Sequence, residues 1–383
     1  MAMRSRTGVG ALLLAAGLVV ALLAGYGGIV RGYEALLALG DIAAGSEESR
    51  LKERTPAPTR EDLRYRVDGR DYRADLYRPD EPRRGTLILV HGLTDAGRRD
   101  PLLMGFALTM SRLGFTVMVP DLEGLKAFSL DTRDVEAIAD AIRHATQKQP
   151  EAASTTALAS ISLAVGPTLL AAMQEDTADR VSFLVALGGY YDLTDMLRYV
   201  TTGEDPGAAG QDAPVPREEM RWLVLLSQRQ WLDDERDRAL LGAIARRRLH
   251  DPAASLEAEV NRLGPQGRAA YDLLANEDPD RVAPLMTRLP APLRAELKAL
   301  DLSARDLGKL QAELVLVHGP DDPVIPISHS RRLQKALPDH QSRLFEARGL
   351  DHVEVSPNWR DGWTLWRAVH HVLRLGDRET TPP

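Results

Sequence analysis

Short apolar runs, each followed by an amphipathic stretch, constrain this chain more than any other feature of its sequence. Leu87-Ile88-Leu89-Val90, Phe115–Val119, Thr155–Ile161, Val181–Leu187 and Ala312–Val317 are too short for typical helices and show no polar alternation. A strand reads that way when both of its faces are buried. Pro101–Leu113, Thr132–Thr146, Leu163–Gln174 and Ile327–Leu337 carry helical patterns between and after them. Gln341–Ala347 and Pro357–Leu375 supply a last strand and a last helix. The alternation predicts an α/β fold, a mostly parallel central sheet with helices on both faces. Ahead of it, Leu63–Arg78 alternates in strand fashion around Asp68-Gly69, which predicts an antiparallel hairpin.

The strand series breaks over residues 192–311. Met220–Leu232, Arg236–Leu249, Leu256–Leu263 and Leu293–Leu300 are helical in pattern, and Pro252, Pro265, Pro279, Pro284, Pro290 and Pro292 punctuate them. This predicts a helical cap inserted between two halves of the sheet domain, residues 63–191 and 312–375. Residues 376–383 read as a flexible tail.

At the N-terminus, residues 8–30 are uncharged and apolar, after Arg4 and Arg6. A helix of that length reaches about 34 Å, enough for the roughly 30 Å hydrocarbon core. Residues 1–30 are therefore expected to form a transmembrane anchor. A cleaved signal peptide is the rival, but its apolar region is shorter, about 7–15 residues. Arg4, Arg6 and the amino terminus give a slight positive bias before the run, against Arg31 and Arg50 after it. That favours an extracytoplasmic placement of the following domain on a single span. Gly45, Ser46, Pro56 and Pro58 lie within residues 31–62, which read as a tether.

Composition excludes other classes. The net charge of −7 gives no bulk attraction to nucleic acid. Cys 0 removes disulfides, thiolate metal sites and a cysteine nucleophile.

Ligands gather where parallel strands end, so the chemistry is sought at strand exits. After residues 155–161 comes Ser160-Ile161-Ser162-Leu163-Ala164-Val165-Gly166, a strand end, a serine and a helix start. Small residues stand two positions either side of Ser162, the layout of a nucleophile elbow. Leu163 would place its N–H at the helix start, where it can donate to an oxyanion. A serine that merely caps a helix reads similarly. Ser160 competes as nucleophile but would still lie within the strand. The second exit, Val317–Pro326, carries Asp321 and Asp322 in its turn. A carboxylate there can orient a histidine, or simply serve the turn. Asp192, after Gly188-Gly189-Tyr190-Tyr191, is the fallback acid. The third is Gly349-Leu350-Asp351-His352, after the last strand. Of nine histidines, His352 alone sits in a strand-exit loop downstream of both other sites. His91 and His318 precede glycines and read as structural; His144, His250, His329, His340, His370 and His371 read as packing or surface residues.

Taken together, these sites resemble the α/β-hydrolase superfamily over residues 63–375. The carrying residues are His91-Gly92-Leu93, Pro120-Asp121, Ser160–Gly166, Gly319–Pro326 and Gly349–His352, in the chain order Ser, Asp, His. Asp322 is the acid because its offset from Gly319 matches the family pattern. The resemblance implies a Ser162–His352–Asp322 triad, with the N–H groups of Leu93 and Leu163 as the oxyanion hole. It implies a serine hydrolase that needs no metal or organic cofactor, acting on a small-molecule or lipid-like acyl substrate such as a carboxylic ester. Trp222 and Trp231, in the cap, read as core or as lining of an acyl pocket. The family's elbow usually carries glycine where this chain has Ser160 and Ala164. That departure keeps a non-catalytic binding or assembly module open, beside a peptidase or acyltransferase using the same triad.

Overall fold

The structure, a computed structural model, describes residues 27–147, 156–208, 214–348, 350–351, 354–355 and 362–377. Eight strands form one sheet: β1 (Thr59–Val67), β2 (Arg70–Arg78), β3 (Thr86–Val90), β4 (Thr116–Pro120), β5 (Thr156–Ile161), β6 (Phe183–Leu187), β7 (Glu313–His318) and β8 (Ser342–Glu346). Their spatial order is β1-β2-β4-β3-β5-β6-β7-β8. β1 and β2 form the antiparallel hairpin turned at Asp68-Gly69, and β2 also runs antiparallel to β4. From β4 to β8 every pairing is parallel.

The strands are unbroken apolar runs because both faces are covered. Ile88, Val90, Leu158, Leu184, Leu314 and Leu316 enter one core, with helices Thr132–Gln147 and Val165–Ala172 and the cap. Leu87, Leu89, Ala157, Val185, Val315 and Val317 enter the other, with helices Pro101–Arg112 and Gly362–Asp377. Successive strand residues thus face opposite layers.

Seven helices occupy the described residues between β6 and β7, from Leu193–Thr202 to Ala291–Leu300, and no strand interrupts them there. Their apolar residues, among them Trp222, Leu225, Leu241, Leu273 and Leu293, continue the first core. Polar links fasten the cap at three further points. The Tyr190 hydroxyl donates to the Leu300 carbonyl at 2.9 Å, Gln230 donates to Ser129, and the Thr132 amide donates to Glu296.

The segment expected as a tether is instead built onto the domain. Residues 27–44 are helical, Arg50–Arg54 is a short helix, and β1 begins at Thr59. The physical reason is a buried cation. Arg84 is 2% exposed and donates to Glu34 of the first helix and, at 2.7 Å, to Asp377 at the end of the last. Ala35 and Ala38 are fully buried beside it, and Asp41 accepts from Thr109 at 2.6 Å. The last helix consequently runs to Asp377, two residues past its expected end at Leu375. Among the described residues no helix is long and apolar enough to cross a membrane; residues 8–26 of the expected span lie outside them. Arg84→Met, which keeps most of the volume and removes the buried cation shared by Glu34 and Asp377 while Arg83 and Arg31 still pair with them, is expected to cost about 1.5–3 kcal/mol in urea unfolding.

A second buried charge sets a pH dependence. Asp134 is 3% exposed, and burial, with Asp131 beside it, raises its carboxyl pKa to about 7. The folded chain therefore holds this proton more tightly than the unfolded chain. That contribution to stability is complete below about pH 4 and is lost as pH rises through about 7. Asp134→Asn is expected to match the parent near pH 4 and to exceed its stability by about 2–4 kcal/mol near pH 8. Thermal melts of both proteins across that range check it.

Candidate active site

β5 ends at Ile161, and the chain must reverse at once into the helix Val165–Ala172. Ser162 takes the strain of that reversal, with φ of 59° in the left-handed region. A side-chain-bearing residue there costs about 1–3 kcal/mol and persists where the surroundings over-determine it. A residue that only caps a helix has extended backbone, so Ser162 is not a simple cap.

The flanks explain the small residues. Ser160 and Ala164 are both fully buried. Ser160 pairs with Val90 on one side and Ala186 on the other, inside the sheet; among the described residues its hydroxyl has no hydrogen-bond partner. It points into packed structure, as expected for a residue still within the strand. Four residues beyond Ser162, a Cβ on Gly166 would stand 1.9 Å from the Tyr190 hydroxyl. Glycine there lets the β6 exit loop press against the elbow.

The turn after β3 lies on the other side. A Cβ on Gly92 would be 3.4 Å from the Ile161 carbonyl and 3.6 Å from Cβ of Ser162. The fold therefore brings His91-Gly92-Leu93 against the serine. The His91 ring is buried and its Nδ1 meets the Gly92 carbonyl at 2.8 Å. Burial lowers its pKa, so it shapes the turn as a neutral ring.

Asp322 is completely buried after β7. Its Oδ1 accepts from the amides of Val324 at 2.8 Å and Ile325 at 3.0 Å, and its Oδ2 lies 3.4 Å from His318 Nε2. His318 is structural, as its position before a glycine suggests: Nδ1 meets Ser330 Oγ and Nε2 meets the Ile325 carbonyl, both at 2.7 Å. The fallback acid, Asp192, is engaged otherwise. It caps the helix Leu193–Thr202, accepting from Thr194 and Asp195 amides at 2.9 and 3.0 Å.

After β8 a two-stranded hairpin pairs Leu350 with Val355 and Asp351 with Glu354. His352 belongs to the two residues joining these strands and lies outside the described residues. The segment leading to it is nonetheless fixed. A Cβ on Gly319 would stand 2.0 Å from the Leu350 carbonyl, so the turn carrying Asp322 abuts the hairpin carrying His352. β5 and β7 are separated by β6 alone. The ends of these two strands are therefore about 10 Å apart at the usual strand spacing.

No protein-family model matches the sequence, and no curated protein matches it either. Solved structures do match. A candidate hydrolase from Legionella pneumophila has a TM-score of 0.51 at 12% identity, over 87% of this chain and 95% of its own. The rice cell wall degrading esterase LipA from Xanthomonas oryzae, in a ligand-bound form, has a TM-score of 0.50 at 13% identity, over 88% and 92%. The chain has the α/β-hydrolase fold. Pyrococcus horikoshii acylaminoacyl peptidase also matches, at a TM-score of 0.47 and 11% identity over 85% of this chain, which spans 42% of that longer protein.

Ser162 occupies the turn from β5 into the following helix, and Leu163 comes next in that turn, 6% exposed. One residue invisible to sequence reasoning holds the neighbouring loop. His329 is fully buried and its Nδ1 accepts from the amides of Tyr191 at 3.2 Å and Asp192 at 3.4 Å. Burial, followed by Arg332, pushes its pKa down to about 3, so the ring stays neutral and able to accept. Trp222 is core at 4% exposed, and Trp231 packs against the same cluster.

The strain at the elbow is measurable. Ser162→Gly is expected to exceed Ser162→Ala in stability by about 1 kcal/mol, because only glycine is unstrained at that φ. Urea titration of the two variants, equally stripped of the hydroxyl, isolates the backbone contribution.

Proposed function

We propose that this chain is a serine hydrolase that cleaves carboxylic esters through an acyl-enzyme, anchored to a membrane by its N-terminal apolar run. The left-handed backbone of Ser162 at the exit of β5, with Gly92 against it, carries the reading. In the mechanism, the imidazole of His352 removes the Ser162 proton while Asp322 holds its other nitrogen. Oγ attacks the ester carbonyl, and the amides of Leu93 and Leu163 receive the negative charge on its oxygen. Collapse expels the alcohol, which takes the proton from His352. Water then repeats the sequence on the acyl-serine and releases the acid. Each oxyanion donor is worth about 10²–10³ in turnover.

A fluorophosphonate probe tests the proposal. Labelling of the folded chain that disappears in Ser162→Ala, with hydrolysis of short p-nitrophenyl esters, supports it. The second reading is a non-catalytic module of the same fold, favoured by Ser160 and Ala164 at the positions where the family usually has glycine. Folded protein that neither labels nor hydrolyses supports that reading. Turnover of aminoacyl or prolyl amides would shift the substrate class to peptides. The anchor and its orientation rest on residues 8–30 and the flanking arginines; protease access to the C-terminus in intact cells tests the extracytoplasmic placement.

A further inference from the structure

The helix over residues 27–44 carries the end of the apolar run directly onto the domain, because residues 27–30 belong to both. Its inner side is buried at Ala35, Ala38 and Asp41. Its outer side leaves Ile29, Tyr33 and Leu36 open to solvent, at 72%, 41% and 59%. The last helix, Gly362–Asp377, adds two tryptophans at the same place. The Trp366 indole N–H donates to the Gly32 carbonyl at 2.7 Å, and Trp363 stacks on it with ring centroids 4.6 Å apart. Trp363 is 62% exposed. One exposed arginine lies beside these rings: Arg54, 5.4 Å over Tyr33. Large apolar side chains clustered in water mark a contact surface.

Where the apolar run ends tells what covers this surface. Val30 closes the run, so Gly32 stands about 3 Å and Tyr33 about 4.5 Å further along the helix. The interfacial layer beyond the hydrocarbon core is roughly 5–7 Å thick on each side. Tryptophan and tyrosine concentrate in that layer, with arginine reaching to the headgroups. We propose that Tyr33, Trp363 and Trp366 form an aromatic belt that seats the domain in the bilayer interface. The proposal rests on the anchor reading of residues 8–30. It goes further by fixing how the domain sits: with a packed helix in place of a tether, the domain keeps one face on the membrane. That face reaches toward the catalytic edge. Gly376 packs against Phe115, which directly precedes β4, so the last helix has its C-terminal end where strands begin. Trp363, at its other end, lies toward the edge where strands end and Ser162 stands.

Cys 0 makes the test direct. Tyr33→Cys and Trp363→Cys, and Glu277→Cys on the exposed cap surface, each accept one bimane label in the full chain. The labelled chains are reconstituted in phosphatidylcholine–phosphatidylglycerol vesicles, with or without a lipid carrying a nitroxide at its headgroup. Flotation with the vesicles, with quenching at positions 33 and 363 several-fold stronger than at 277, is the expected result. A chain that floats but shows equal quenching at all three positions keeps its anchor and loses the belt. A chain that does not float loses both. Cross-linking of two chains through Trp363→Cys in place of lipid quenching assigns the face to a second copy and overturns the proposal.

Discussion

Ser162→Ala is expected to lower turnover of short p-nitrophenyl esters by about 10⁴-fold or more while leaving the fold intact. Alanine removes the oxygen proposed to attack and keeps the backbone and Cβ contacts that pack the turn. The Gly92 turn, for example, faces Cβ of Ser162 and the carbonyl of Ile161. The strained φ is retained, so stability should change little. Residual rate over water would come from oxyanion donors and substrate binding alone. His352→Ala should cost nearly as much, and the double variant little more than either, because in the proposed triad the nucleophile and its base act as one unit. Steady-state kinetics on the three variants, with thermal melts to show folding, check this. Retained turnover in Ser162→Ala would remove the hydrolase proposal, because Ser160, buried within the sheet, offers no substitute.

What was legible in the sequence follows from how local its physical cause is. Strands buried on both faces have to be continuous apolar runs, so β3, β4, β5, β6 and β7 could be read without knowing their partners. The helical character of the residues between β6 and β7 was legible because prolines such as Pro265 and Pro290 mark where helices begin and no strand pattern enters the stretch. Strand exits could be named, and with them Ser162, Asp322 and Gly92. The docking of residues 27–44 could not be. It depends on Arg84 being buried between Glu34 and Asp377, which are 50 and 293 residues away along the chain. Gly45, Pro56 and Pro58 mark turns whether the chain between them is free or packed. His329 was illegible for a similar reason: its burial, and the amides it accepts, arise only when the β6 exit loop folds over it. Asp192 is the opposite case. An aspartate directly ahead of an amphipathic stretch is a helix-capping signal, and that is the role its carboxylate fills.

Asp322→Asn is expected to reduce kcat by about 10⁴-fold with little change in KM or stability. The choice of asparagine matters. Asp322 is fully buried and Oδ1 satisfies two amides. Alanine would leave those donors unpaired, at about 1–3 kcal/mol each, and confuse a folding defect with a catalytic one. Asparagine keeps an oxygen for Val324 and Ile325 and replaces Oδ2 with an NH₂ donor. The loss at Oδ2 toward His318 is minor, since that contact is 3.4 Å and the ring already meets the Ile325 carbonyl at 2.7 Å. In the proposed triad the change toward His352 is decisive. A donor in place of an acceptor favours the imidazole tautomer whose free lone pair faces the acid, leaving an N–H directed at the serine. That ring cannot take the Ser162 proton. An equivalent fall in Asp192→Asn, with Asp322→Asn unaffected, would move the acid to the exit of β6. The capping bonds of Asp192 to Thr194 and Asp195 argue against that outcome, since an amide oxygen would keep them and leave catalysis unchanged.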